Sequence, residues 1–280
     1  MRTDLRTLGP NESKLILSLR EQNRQVVSAT EAIELLGSDS TGRKVIHNLL
    51  RKGWLSRLVG GRYMVLPPEY GPENLGENNT LALAAAVVEP SYVGWWSAAS
   101  FHGFTTQKPM AVSVATLKQA TARTIEGGDV RFIKVAPRKF FGFEDYDVYG
   151  RAVAISTPAK TVVDCADRPD LAGGAAELTR IMFGASSTVD LTEVANLAGQ
   201  MRSTALLQRL GYLADLAGWP LPIEVRATLR AAIPPSARSV FGRPARRPDD
   251  VGYVPDWGLL VHARREDLLS DVPRRRGHAA

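Results

Sequence analysis

TGRKVIHNLLRKGWLSRLVGGRYMVL, residues 41–66, is the stretch whose reading decides how the chain begins to fold. Val45, Ile46, Leu49 and Leu50 recur at helical spacing and form an inward stripe, and Gly53 ends the run. Ser40 or Asp39 is positioned to cap this helix. On its other face Arg43, His47 and Arg51 fall on an i, i+4, i+8 line, with Lys44 and Asn48 beside them and Lys52 at the end. Long hydrogen-bond donors therefore cover the exposed surface almost without an acid. WLSRLV and RYMVL follow as two β-rich runs around Gly60-Gly61, a turn that needs positive φ, with Arg57 and Arg62 on the resulting hairpin.

Upstream, Asn11 can cap a helix carrying Leu15, Ile16 and Leu19. Ser28 and Glu31 form a capping box that opens SATEAIELL, which Gly37 closes. Three helices and a basic hairpin are the order of a winged helix-turn-helix, whose third helix enters the major groove while the hairpin touches backbone or minor groove. Arg43, Lys44, His47, Asn48, Arg51, Lys52, Arg57 and Arg62 are the expected DNA-binding residues. Arg and Asn read guanine and adenine edges bidentately, whereas Lys and hairpin Arg more often neutralise phosphate. The alternative is a solvated basic face on a winged-helix protein-interaction module.

Charge distribution supports a division of labour. Residues 1–66 carry eleven Lys/Arg against six Asp/Glu, residues 67–224 thirteen against seventeen, and residues 225–280 eleven against six. One module meets a polyanion while the rest does something else. Pro67, Pro68, Gly71 and Pro72 read as a linker, so residues 1–68 are expected as the winged helix and 69–280 as a larger mixed α+β domain. The class is α+β, with the tail at 271–280 partly disordered. Cys165 is the only cysteine, which excludes an internal disulfide framework and a cysteine-rich zinc site and fits a reducing compartment. With no apolar leader in MRTDLRTLGP, the expected location is the cytoplasm, away from any membrane.

In the larger part, SYVGWWSAASFHGF reads as a helix that Gly103 stops, with His102 bonding its last carbonyls. AVSVAT, DVRFIKV, FEDYDVY and RAVAIST read as a small sheet. Pro158 starts a helix that Pro169 ends, and four more helical runs follow before WGLLVHA, which is expected to return to the sheet. No acid lies within eleven residues of His102 to orient it as a general base. Cys165 reads as a buried inert thiol, and Glu144, Asp145 and Asp147 as a solvated turn without the convergent lysine of a metal nuclease. No P-loop and no paired zinc-ligand spacing occur. The chain is not read as an enzyme, and neither cofactor nor metal is expected.

WSAASFHGFTTQ (96–107), TPAKTVVDCADRPDLAGG (157–174), RLGYLADLAG (209–218) and WGLLVHA (257–263), in that order after a winged helix, resemble the AbiEi family of bacterial type IV antitoxins. The similarity spans about residue 11 to residue 270. It carries over onto Trp96, Ser97, Ala98, His102, Gly103, Thr105 and Gln107, then Lys160, Thr161, Asp164, Gly173, Gly174, Arg209, Leu210, Gly211 and Tyr212. The resemblance implies an antitoxin that represses its own operon by binding operator DNA and counteracts an AbiEii-type, nucleotidyltransferase-like toxin. The motif residues themselves read as structural. Two other functions stay open at this point: a stand-alone transcriptional regulator, and a nuclease or hydrolase tethered to DNA.

Overall fold

The computed structural model describes residues 7–22, 24, 26–57, 61–66, 80–125, 128–148, 151–270 and 272. The expected linker at 67–79, with the boundary near 68, lies outside these residues, as do Gly60 of the wing turn and nearly all of the tail.

The N-terminal part has the order α1 (Pro10–Glu21), β1 (Val26–Ser28), α2 (Ala29–Leu36), α3 (Asp39–Arg51), β2 (Leu55–Arg57) and β3 (Arg62–Val65). β1, β3 and β2 form an antiparallel three-stranded sheet, and with the three helices the element order is consistent with a winged helix. Leu15, Ile16, Leu19, Val45, Ile46 and Leu49 are buried together in its core, on the stripes read from helical spacing. The capping box forms as expected: Glu31 N donates to Ser28 Oγ at 3.1 Å and Ser28 N to Glu31 Oε2 at 2.7 Å. Gly37 is left-handed at the end of α2, with φ of 75°. Two caps move by a residue or more. Gly9 rather than Asn11 precedes α1, with Pro10 in its first position, and Ser38 rather than Ser40 or Asp39 caps α3. β1 was not expected; it is too short to show alternation.

The rest of the chain is built on a six-stranded mixed sheet in the order β6-β7-β5-β4-β9-β8. Its strands are β4 (Ser91–Val93), β5 (Ala111–Thr116), β6 (Arg123–Ile125), β7 (Gly128–Lys134), β8 (Phe143–Asp147) and β9 (Ala152–Ser156). α4 (Thr80–Val87) covers one face, packing with Val93, Val114, Val130 and Ile155. Against the other face lie α5 (Trp95–Phe101) and α6 (Pro158–Asp167), backed by α7 (Ala175–Ala185), α8 (Leu191–Gln200) and α9 (Thr204–Leu216) in the largest core. α10 (Ile223–Ala231) and α11 (Arg265–Leu269) complete the helices.

Three expectations are corrected. Ser91–Val93 is not the start of a helix but strand β4, paired to β5 on one side and β9 on the other. All three of its residues are buried, so no polar alternation marks it as a strand. WGLLVHA does supply a strand, β12 (Leu259–His262), but it pairs with β10 (Ser239–Gly242) and β11 (Gly252–Val254) in a separate small sheet. That sheet rests on α9, where a side chain at Gly211 would put Cβ 2.3 Å from the Trp257 ring. RRPDDVGYVPDW (246–257), whose Pro/Arg-rich composition reads as partly disordered, is instead structured, as β11 and the loop before it.

Candidate functional site

The helix-turn-helix depends on one close approach. At Gly42, in the first turn of α3, an added Cβ would lie 2.7 Å from Ile33 Cγ1 and 2.9 Å from Ile33 Cα, so glycine lets α2 and α3 meet backbone to side chain. With Val45, Ile46 and Leu49 buried, α3 turns Arg43, Lys44, His47 and Arg51 to solvent. Arg43 Nε reaches both carboxylate oxygens of Asp39 at 3.1 Å, a pair that is 74% and 63% exposed and so is readily exchanged for another anion. Arg57 is exposed on β2.

The other three expected contacts face the protein. Lys52 Nζ donates to Glu12 Oε2 at 2.6 Å and to Thr7 O at 3.0 Å, tying the end of α3 to the start of α1. Asn48 also hydrogen-bonds Glu12. Burial raises the Glu12 pKa, but hydrogen bonds from Lys52, the Gly9 N–H and Asn48, with the Lys52 charge, outweigh it and hold the carboxyl below its ordinary value. Arg62 Nη2 donates to Glu89 Oε1 at 2.8 Å. Helical spacing could not reveal these engagements, because Glu12 lies 40 residues from Lys52 and Glu89 lies 27 from Arg62.

The polar residues of 96–107 hold the larger part together. Ser97 Oγ accepts from Ser113 N at 3.0 Å, fixing α5 to β5. Trp96 Nε1 and Thr105 Oγ1 both donate to Glu177 Oε1, at 3.1 and 2.5 Å, and Glu177 also pairs with Arg180. Gly173, with φ of 78°, passes against Trp96 and Glu177 where a Cβ would clash. Contrary to the expectation that it bonds the last carbonyls of its own helix, the His102 ring crosses to β9, with Nε2 2.8 Å from Ser156 O. Its helix instead closes through the His102 backbone N–H to Ala98 O. The ring is packed with Phe101, Phe104 and Tyr146. Burial lowers its pKa against the opposing pull of the Ser156 carbonyl and the Glu144 charge, so the neutral ring donates to that carbonyl.

Lys160 and Asp164 on α6 are wholly buried: Lys160 Nζ lies 2.5 Å from Asp164 Oδ1 and 3.0 Å from Tyr92 OH, and Tyr92 OH donates to Asp164 Oδ2 at 3.1 Å. Tyr92 comes from β4, so this triad joins the central strand to α6. Burial raises the Asp164 pKa while Lys160 opposes it. Arg209 Nη2 caps the end of α6 through Asp167 O at 2.8 Å. Cys165 is buried and its thiol pKa is pushed up by that burial, leaving no reactive thiolate. Among the described residues, no group of three or more His, Cys, Asp or Glu is placed to hold a metal ion. No helix among them is long and apolar enough to cross a membrane.

No curated protein matches the chain. Among solved structures, the crystal structure of the RV2827C protein from Mycobacterium tuberculosis aligns with a TM-score of 0.56 at 20% identity, covering 94% of this chain and 95% of that one. At that identity the likeness is one of fold. A family model described as the AbiEi antitoxin C-terminal domain matches residues 92–216, the segment that holds Trp96, His102, Glu177 and the Lys160–Asp164–Tyr92 triad. Residues 92–216 of this chain are thus similar to the AbiEi antitoxin C-terminal domain.

Proposed function

We propose that this protein is the antitoxin of a type IV toxin–antitoxin system that binds operator DNA to repress its own operon and neutralises an AbiEii-type, nucleotidyltransferase-like toxin. In this reading residues 1–68 carry DNA recognition and 69–280 carry antitoxicity, and the protein acts in the cytoplasm without catalysing a reaction. The observation that carries the DNA half is the solvent face of α3, where Arg43, Lys44, His47 and Arg51 stand together and, among the described residues, only the acid Asp39 pairs with any of them. A recognition helix needs such donors at the major-groove edge, and their charge draws DNA in regardless of sequence. The family match over residues 92–216 supports the antitoxin half.

Growth rescue and a promoter reporter, run in the same cells with the adjacent toxin gene, test both halves. The wild type should rescue growth and silence the reporter. The Arg43→Ala/Arg51→Ala variant should still rescue growth yet lose repression, each arginine contributing about 1–3 kcal/mol on the cognate site if it reads a base. Failure of the wild type to rescue cells from a confirmed toxin sinks the antitoxin half and leaves a plain DNA-binding regulator. Unchanged repression by the double variant takes α3 off the DNA.

A further inference from the structure

Arg62 begins β3 beside the wing turn, where a winged helix ordinarily offers a cation to phosphate. Here it reaches across to Glu89, just beyond α4, and only a quarter of its side chain is exposed. The pair spans a groove of about 340 Å³ between the winged helix and the larger part, lined by Arg24 and Glu31 on one wall and by Ala85, Glu89 and Asp145 on the other. Two residues along the same strand face, Met64 is 1% exposed and packs in one cluster with Ala82, Ala84 and Val87 of α4. The strand is thus anchored, and Arg62 can change partner only by swinging its side chain.

We infer that the Arg62–Glu89 ion pair is a latch: it withholds the wing arginine from DNA until a phosphate replaces the carboxylate. The inference rests on the DNA-binding reading above and deepens it. Glu89 is 65% exposed, so the pair is weak enough to exchange for phosphate yet takes a share from every binding event. It also links the two parts of the chain, because a partner that occupies Glu89 frees Arg62, and DNA that takes Arg62 frees Glu89. Such coupling is reciprocal by thermodynamic necessity.

The test measures affinity of the full-length protein for a fluorescent duplex taken from immediately upstream of its own gene and for a random duplex of equal length. Glu89→Gln should tighten both about two- to fivefold, the range set by a partly exposed pair. Arg62→Ala should abolish that gain, so that Arg62→Ala/Glu89→Gln binds like Arg62→Ala. Asp145→Asn removes a carboxylate from the same groove and controls for a general change of charge; it should gain less than Glu89→Gln. The latch is overturned by an unchanged Glu89→Gln, by a gain that survives Arg62→Ala, or by an equal gain from Asp145→Asn. Binding that Arg43→Ala and Arg51→Ala both leave untouched overturns the DNA reading itself and the latch with it, a distinguishable result.

Discussion

Arg43 on α3 and Lys160 on α6 are both long cations spaced four residues from an aspartate on their own helix, and they do opposite things. Asp39–Arg43 is 74% exposed on the cation and 63% on the acid; Lys160–Asp164 is 0% and 3%. In water the first pair gains little from its charges and gives up its partner readily. The second pair has lost its hydration, so each member depends on the other and on the Tyr92 hydroxyl that bridges them. Identical spacing therefore specifies a displayed charge in one place and an internal tie in the other. What separates them is the environment that tertiary packing supplies: α3 keeps one face in solvent, whereas α6 is enclosed by β4, α5 and the helices behind it.

The sharpest test of this contrast is Lys160→Met, which strands the Asp164 carboxylate in the core. We expect a loss of about 3–5 kcal/mol in urea denaturation, with much of it restored by Lys160→Met/Asp164→Leu, since apolar replacement of a whole buried pair is often near neutral. A loss under about 1 kcal/mol, the range of exposed pairs, would erase the distinction. His102 offers an intermediate case. Its folded pKa lies below the ordinary 6.5, so as pH falls the unfolded chain takes up the proton first. Stability from this group is complete above about pH 6.5 and is lost below it. Glu12 and Glu31, with pKa values held below 4.5, lose their contribution only in more acidic solution. The urea midpoint should thus fall between pH 7 and pH 5 in the wild type, and the slope should flatten in His102→Asn; an equal slope in both would assign the effect elsewhere. The smallest change is expected from Asp39→Asn, under about 0.5 kcal/mol by thermal denaturation. A larger loss would mean that the exposed pair is structural after all.

Local chemistry was readable and distant chemistry was not. Ser28 with Glu31, Gly37 at the end of α2, and Pro158 opening α6 are each legible because donor and acceptor, or breaker and helix, lie within a turn of one another. The α3 face was legible as a surface, but Asn48, Lys52 and Arg62 were not legible as residues turned inward, since their carboxylates sit far along the chain. β4 escaped detection for a related reason. A strand buried on both sides and flanked by Pro90 and Gly94 shows no alternation, so the period that identifies half-buried strands is absent. The reading of 96–107 as scaffold was available from the lack of a neighbouring acid; its partners Glu177, Ser113 and Ser156 came only with the fold.

Met64 has a practical consequence for anyone who wishes to cut this chain. It belongs by sequence to the wing, yet it packs in one cluster with α4, while its neighbour Val65 belongs to the core of the three N-terminal helices. A fragment that begins at residue 69 leaves a methionine-sized slot on the alanine-rich side of α4 facing water, and a fragment that ends at 68 carries the matching apolar side chain exposed. Both halves invite aggregation through the same seam. Replacing Met64 by a polar residue in the short piece would reduce its exposed apolar surface and at the same time remove the means by which it recognises the longer one.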